Sequence, residues 1–116
     1  MLIRRFKLGV CLGALALMGG QISRAAAEPE QDAKQIAYGR HLASECAACH
    51  RIDGTGNGIP SITGWRTADF AATMDFYRTG ARPNQVMMSV VQSLDESQIT
   101  ALAAYYGSLP KPVRGK

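Results

Sequence analysis

The chain has 116 residues, 47% of them hydrophobic, with 13 Lys and Arg against 9 Asp and Glu. That leaves room for one domain, is too apolar for a disordered chain, and lacks the run of about eighteen apolar residues that a membrane-spanning helix needs. The net charge of +4 suggests an anionic partner such as nucleic acid, but Arg4, Arg5, Lys7 and Arg24 fall in the first 24 positions, where no acid occurs. Beyond them bases and acids balance, so the basic character belongs to a leader.

In chain order, the leader comes first. Arg4, Arg5 and Lys7 precede an apolar stretch from Leu8 to Met18, Gly19-Gly20 interrupts it, and Ala25-Ala26-Ala27 follows. A positive start, a short apolar centre and small residues at the end are the pattern of a secretory signal peptide. The expectation is a signal peptide over 1–27, cleavage after Ala27, and one exported domain over 28–116 in the periplasm. An uncleaved anchor is the weaker alternative, because the apolar segment is too short to span a bilayer.

The spacing predicts a helix over 32–46 with Ile36, Gly39, Leu42 and Ala43 on one face and His41 on the outer face. A second helix is expected over 67–79, with Thr67 as its N-cap, Gly80 as its stop, and Phe70, Met74 and Tyr77 turned to a core. A third is expected over 95–109: Asp95 and Gln98 form a capping box, Ile99, Leu102, Tyr105 or Tyr106 and Leu109 face inward, and Pro110 ends it. The Gly-rich stretch Asp53–Gly58 reads as a loop, and Pro110–Lys116 as a terminal tail. No segment alternates with the period of a strand. The fold class is all-α: three to four short helices.

The chemistry lies in Cys46-Ala47-Ala48-Cys49-His50. With Cys11 in the leader, the odd cysteine count becomes a pair, and the pair is followed by histidine. On one helical turn residues i and i+3 share a face, so both thiols can add to the two vinyl groups of one haem. His50, next along, supplies an imidazole to the iron. A zinc site would need two further ligands where only His41 remains, a thioredoxin-type pair would need a βαβ context, and a plain disulfide leaves His50 unused. One covalent haem c is therefore expected. An 89-residue chain is short of core by itself; a flat apolar cofactor gives its helices something to pack around.

These residues resemble the class I cytochrome c family across most of Glu28–Lys116. The resemblance implies that Gly39 and Tyr105 mark a crossing of the first and last helices. It also implies that the Pro60 carbonyl accepts the Nδ1 proton of His50, fixing the ring. Arg82-Pro83-Asn84-Gln85-Val86-Met87 resembles the segment that carries the second axial ligand. Met87 is the expected sixth ligand, with Met88 the alternative, since neighbouring helical residues point about 100° apart; Met74 reads as core. Trp65 is expected at the haem edge, bonding a propionate through its indole N–H or covering the haem. Arg40, Arg51, Arg66, Arg78 and Arg82 are candidates for propionate pairing or partner docking.

The implied function is single-electron transfer by a monohaem cytochrome, without catalysis of its own. The run from Ile59 to Leu109, with Pro60-Ser61-Ile62, Phe70, Tyr77, Gly80, Met87 and Leu94-Asp95-Glu96, is similar to the cytochrome subunits of flavocytochrome c sulfide dehydrogenases, which implies a flavoprotein partner. A free-standing electron carrier is the alternative reading. A haem enzyme or gas sensor would need an open sixth position, which two methionines in the ligand segment disfavour.

Overall fold

The computed structural model describes residues 28–112; the expected leader and residues 113–116 lie outside the described residues. Four helices occur in chain order: α1 over Glu28–Ala47, α2 over Thr67–Thr79, α3 over Gln85–Gln92 and α4 over Glu96–Ser108. Among the described residues no strand occurs, so the all-α class is the observed one.

α1 begins a turn earlier than its apolar spacing predicts. Its first turns are polar and need no core, and Glu30 pairs with Lys34 at 2.7 Å, one helical turn on. That ion pair is exposed and adds only a few tenths of a kcal/mol. The face of α1 that matters is Ile36, Gly39, Ala43 and Cys46, and it lies on α4. Gly39 is what lets the two helices meet: a Cβ there would fall 2.7 Å from Tyr105 Cβ and would strike the Ala101 carbonyl. The crossing is where the sequence puts it.

α4 is the most buried helix. Ile99, Ala101, Leu102, Ala103, Tyr105 and Tyr106 are all inside, so both tyrosines of the predicted either-or pair are core. Tyr106 stacks on Phe70 of α2 at 5.8 Å between ring centres and meets Tyr105 edge-on at 5.2 Å. The capping box is complete: Asp95 accepts from the Gln98 N–H, and the Gln98 side chain accepts from the Asp95 N–H, both at 2.9 Å.

α2 packs on α4 through Phe70 and Met74, both buried. Its start departs from expectation. Arg66, not Thr67, occupies the cap position, and no side chain caps the helix. Instead Arg66 forms a two-pronged bond with Asp69, at 2.7 and 2.8 Å, which sets an acid in the first turn where the helix dipole favours one. At the other end Gly80 takes a left-handed φ of 77°, as a C-terminal glycine should.

α3 is the fourth of the three to four short helices expected, and the one to which the sequence assigns no bounds. Among the helices it packs only on α2. Val91 is its one fully buried residue, while Val86 and Val90 face outward. The terminal tail also departs from a free end. A Cβ on Gly54 would lie 2.5 Å from Pro112, and one on Gly64 would lie 2.5 Å from Lys111. Residues 111–112 are thus laid across the loop between α1 and α2.

Candidate functional site

The Cys46–His50 motif is the last turn of α1 and its exit. The N–H groups of both Cys49 and His50 donate to the Cys46 carbonyl, at 3.2 and 2.8 Å. Cys46 is half-buried against the core, Cys49 is exposed, and both thiols are free. Burial pushes the Cys46 thiol above its ordinary value, and a hydrogen bond with the Tyr106 hydroxyl partly offsets this. Tyr106 is itself buried, which raises its phenol, so both groups are neutral at neutral pH.

His50 leaves the helix with its ring already oriented. Nδ1 lies 2.8 Å from the Pro60 carbonyl oxygen. As that oxygen can only accept, Nδ1 carries the proton, which in the neutral ring leaves the Nε2 lone pair for a metal. Asn57, which sequence reasoning missed, makes two further bonds, one to the motif and one within the loop. Asn57 Nδ2 donates to the Cys49 carbonyl at 3.0 Å, and Asn57 Oδ1 accepts from the Ile59 N–H at 3.0 Å. An asparagine in a glycine-rich loop is the signal that could have found this. Gly64, at a left-handed φ of 69°, then donates its N–H to the Tyr106 carbonyl at 2.8 Å, joining the loop to α4.

Trp65 is half-buried against the core, and its indole N–H donates to the Ser61 carbonyl at 3.1 Å. That donor is satisfied within the protein, which leaves the ring, rather than the N–H, as the part available for covering a cofactor. The arginines are similarly engaged. Arg51 faces Asp53 at 3.8 Å, Arg66 holds Asp69, and Arg78 reaches Glu96 at 3.5 Å and the Leu94 carbonyl at 3.3 Å. Arg82 sits over the Tyr77 ring at 5.4 Å. Arg40 and His41 are exposed on α1.

The two candidate methionines part company on α3. Met87 packs against the buried cluster, whereas the tip of Met88 reaches toward Gly80 at the end of α2, 4.0 Å from where a Cβ would stand. Met74 is in the core. The Met87 N–H is held by Asn84 Oδ1 at 3.0 Å, which caps α3. This second missed residue was readable, since asparagine is a strong N-cap type and stands just before an apolar run.

These donors suit a haem better than a caged ion. Among the described residues no three His, Cys, Asp or Glu side chains converge to hold a metal. What is present instead is a thiol pair on one turn, an imidazole with one nitrogen fixed and one free, and a thioether turned inward. Exposed Ile52 and Ile59 stand close to the motif in sequence, and a flat apolar cofactor would give such residues cover.

Comparison with known proteins agrees. A family model of cytochrome c matches residues 36–110. A thiosulfate dehydrogenase electron acceptor of Thiomonas intermedia is 36% identical over 110 residues, covering 92% of this chain and 45% of that protein. Cytochrome c-552 of Acidithiobacillus ferridurans is 29% identical over 108 residues, 87% of this chain and 45% of that one. Cytochrome c-554(548) of Halomonas halodenitrificans is 32% identical over 81 residues, which is 66% of this chain and 98% of its own length. The chain thus spans less than half the length of the first two relatives and matches nearly all of the third.

Proposed function

The chain belongs to the cytochrome c family, whose haem c is covalent, and on that premise we propose that it is an electron-transfer protein serving a dehydrogenase of inorganic sulfur compounds. The observation that carries the electron-transfer reading is the 2.8 Å contact between His50 Nδ1 and the Pro60 carbonyl. It presets the tautomer and angle of an imidazole meant for an axial position and raises its basicity. When bound, the haem supplies one-electron redox chemistry. The chain's own residues do the rest. Cys46 and Cys49 would anchor the cofactor, His50 Nε2 and the Met87 thioether would hold its iron, and the Trp65 ring would cover it. A thioether in the sixth position raises the potential and keeps other ligands away, which suits a carrier and not an oxygen-using enzyme.

The Thiomonas intermedia relative, named as a thiosulfate dehydrogenase electron acceptor, supports a sulfur-oxidising partner. The resemblance of 59–109 to flavocytochrome c sulfide dehydrogenase subunits supports the same chemistry with a flavoprotein as donor. A second reading, a free-standing carrier, draws support from the third relative, whose whole length is a single unit of this size. In each case the chain acts in the periplasm after loss of 1–27.

Stopped-flow mixing of the oxidised holoprotein with a thiosulfate dehydrogenase and thiosulfate, or with a sulfide-oxidising flavoprotein and sulfide, tests the reading. Fast reduction in either pair supports it and names the donor. Reduction by neither, with no partner co-eluting from native periplasm, rejects the sulfur dehydrogenase role in favour of the free carrier. Intact mass settles processing: the chain from Glu28 plus one haem is expected.

A further inference from the structure

We propose that Asn84 is a positioning residue for Met87, holding α3 in the register that turns this thioether, and not that of Met88, toward the iron. The inference rests on the reading of Met87 as sixth ligand and adds what keeps it there.

α3 has eight residues and, among the described helices, packs on α2 alone. A helix of two turns has no stability of its own in water, because nucleation is not repaid over so few hydrogen bonds. Its first N–H groups lack intrahelical acceptors. Asn84, extended at φ −158° and ψ 109°, supplies one: its side-chain Oδ1 takes the Met87 N–H at 3.0 Å, while its carbonyl takes the Met88 N–H at 2.8 Å as the first regular bond of the helix. The backbone of both methionines therefore hangs from one residue. The chain just before is fixed as well. The Arg82 N–H donates to the Phe76 carbonyl at 3.0 Å, its guanidinium lies over Tyr77, and Pro83 stiffens the approach.

If the Oδ1 acceptor is removed, the Met87 N–H must turn to water and the first turn of α3 frays. Fraying moves the Met87 Cα and releases the thioether, while Val91, buried at the far end of α3, keeps the rest of the helix in place. The open fraction of the Met87 side should rise about five- to tenfold, the equivalent of losing one N-cap. An external ligand binds only that open fraction, so its apparent affinity rises by the same factor.

The test compares four variants of the oxidised holoprotein by cyanide titration, by the weak far-red methionine–iron band, and by thermal unfolding. Asn84→Ala should bind cyanide about five- to tenfold more tightly and lose the band at a temperature below unfolding. Asn84→Asp, which can still accept the N–H, should restore both. Asp95→Ala, which uncaps α4 instead, should lower the unfolding temperature without changing cyanide affinity. Met87→Ala should have no band. An Asn84→Ala variant with unchanged cyanide affinity, alongside a Met87→Ala variant without the band, overturns the positioning role and leaves the ligand assignment standing. Equal tightening in Asp95→Ala also overturns it, by showing that global stability is what cyanide reads. A band that survives in Met87→Ala overturns the ligand assignment and this inference together.

Discussion

Helices α1 and α4 pack on one another around Gly39, and α4 carries six buried residues and a complete capping box. Among the described helices α3 packs on α2 alone; it has one buried residue and presents Val86 at 66% exposure. The first region holds the attachment side of the site, since Cys46 and His50 close the end of α1. The second holds the proposed Met87 side. Local stability differs across one small domain, and segments with few buried contacts open first. An attachment motif gains from a rigid base, because both thiols and the imidazole must keep their places. A sixth ligand held by a short helix sits at the weaker end, so its grip is the part of the site that sequence changes can adjust most easily.

The largest effect should come from the strong region. Gly39→Leu would drive a side chain into Ala101 and Tyr105, and overpacking of that kind should cost about 3 kcal/mol. Thermal unfolding measures it; an unchanged midpoint would mean the helices do not depend on this crossing. Val91→Ala acts on the weak region. Losing two buried carbons and leaving a small cavity should cost about 2 kcal/mol and loosen Met87, read as a paler far-red band. If stability falls while the band stays, α3 is more independent of its anchor than its packing implies.

Asp95→Ala should lower the midpoint by about 5 °C at neutral pH. The Gln98 N–H and the Ser97 hydroxyl hold the Asp95 carboxyl below the usual carboxylate range. Its contribution is therefore present above the unfolded value of about 3.9 and is lost as pH falls through the lower folded value. The gap between parent and variant should narrow on acidification, and a constant gap down to about pH 2 would remove the charged cap from the account. The smallest effect on stability belongs to Ala48→Lys. Ala48 is exposed beside the motif, so unfolding should be unchanged, while electron exchange with an apolar-docking partner slows because a charge enters a dry contact. An unchanged rate would place the contact elsewhere.

What could be read in advance follows how local each signal is. Cys46-Ala47-Ala48-Cys49-His50 carries its chemistry in five adjacent residues, and the Asp95–Gln98 box and the Gly39 crossing rest on spacings of a few positions. α3 was harder. It has only eight residues, too short a window for a helical period to stand out from a loop. The start of α2 misled because Thr67 is a good cap type, yet the Arg66–Asp69 pair sets the first turn without a side-chain cap. Of the two roles open to Trp65, bonding a propionate or covering the haem, the first is closed to its N–H by the Ser61 carbonyl, four residues back. The tail was least legible, since its contacts at Gly54 and Gly64 join residues far apart in sequence.

That tail bears on how the site responds to a change of charge. Residues 51–60 are all exposed, and a loop with so little burial would ordinarily wander. Here Pro112 and Lys111 close over Gly54 and Gly64, while Asn57 and the Tyr106 carbonyl tie down its remaining length. The Pro60 carbonyl is therefore already aimed at His50 before any electron arrives. Dipoles fixed in advance need no rearrangement when the charge beside them alters. In the language of electron transfer, the strap keeps the inner reorganisation energy small, and trimming the chain before Lys111 should slow self-exchange more than it lowers the melting point.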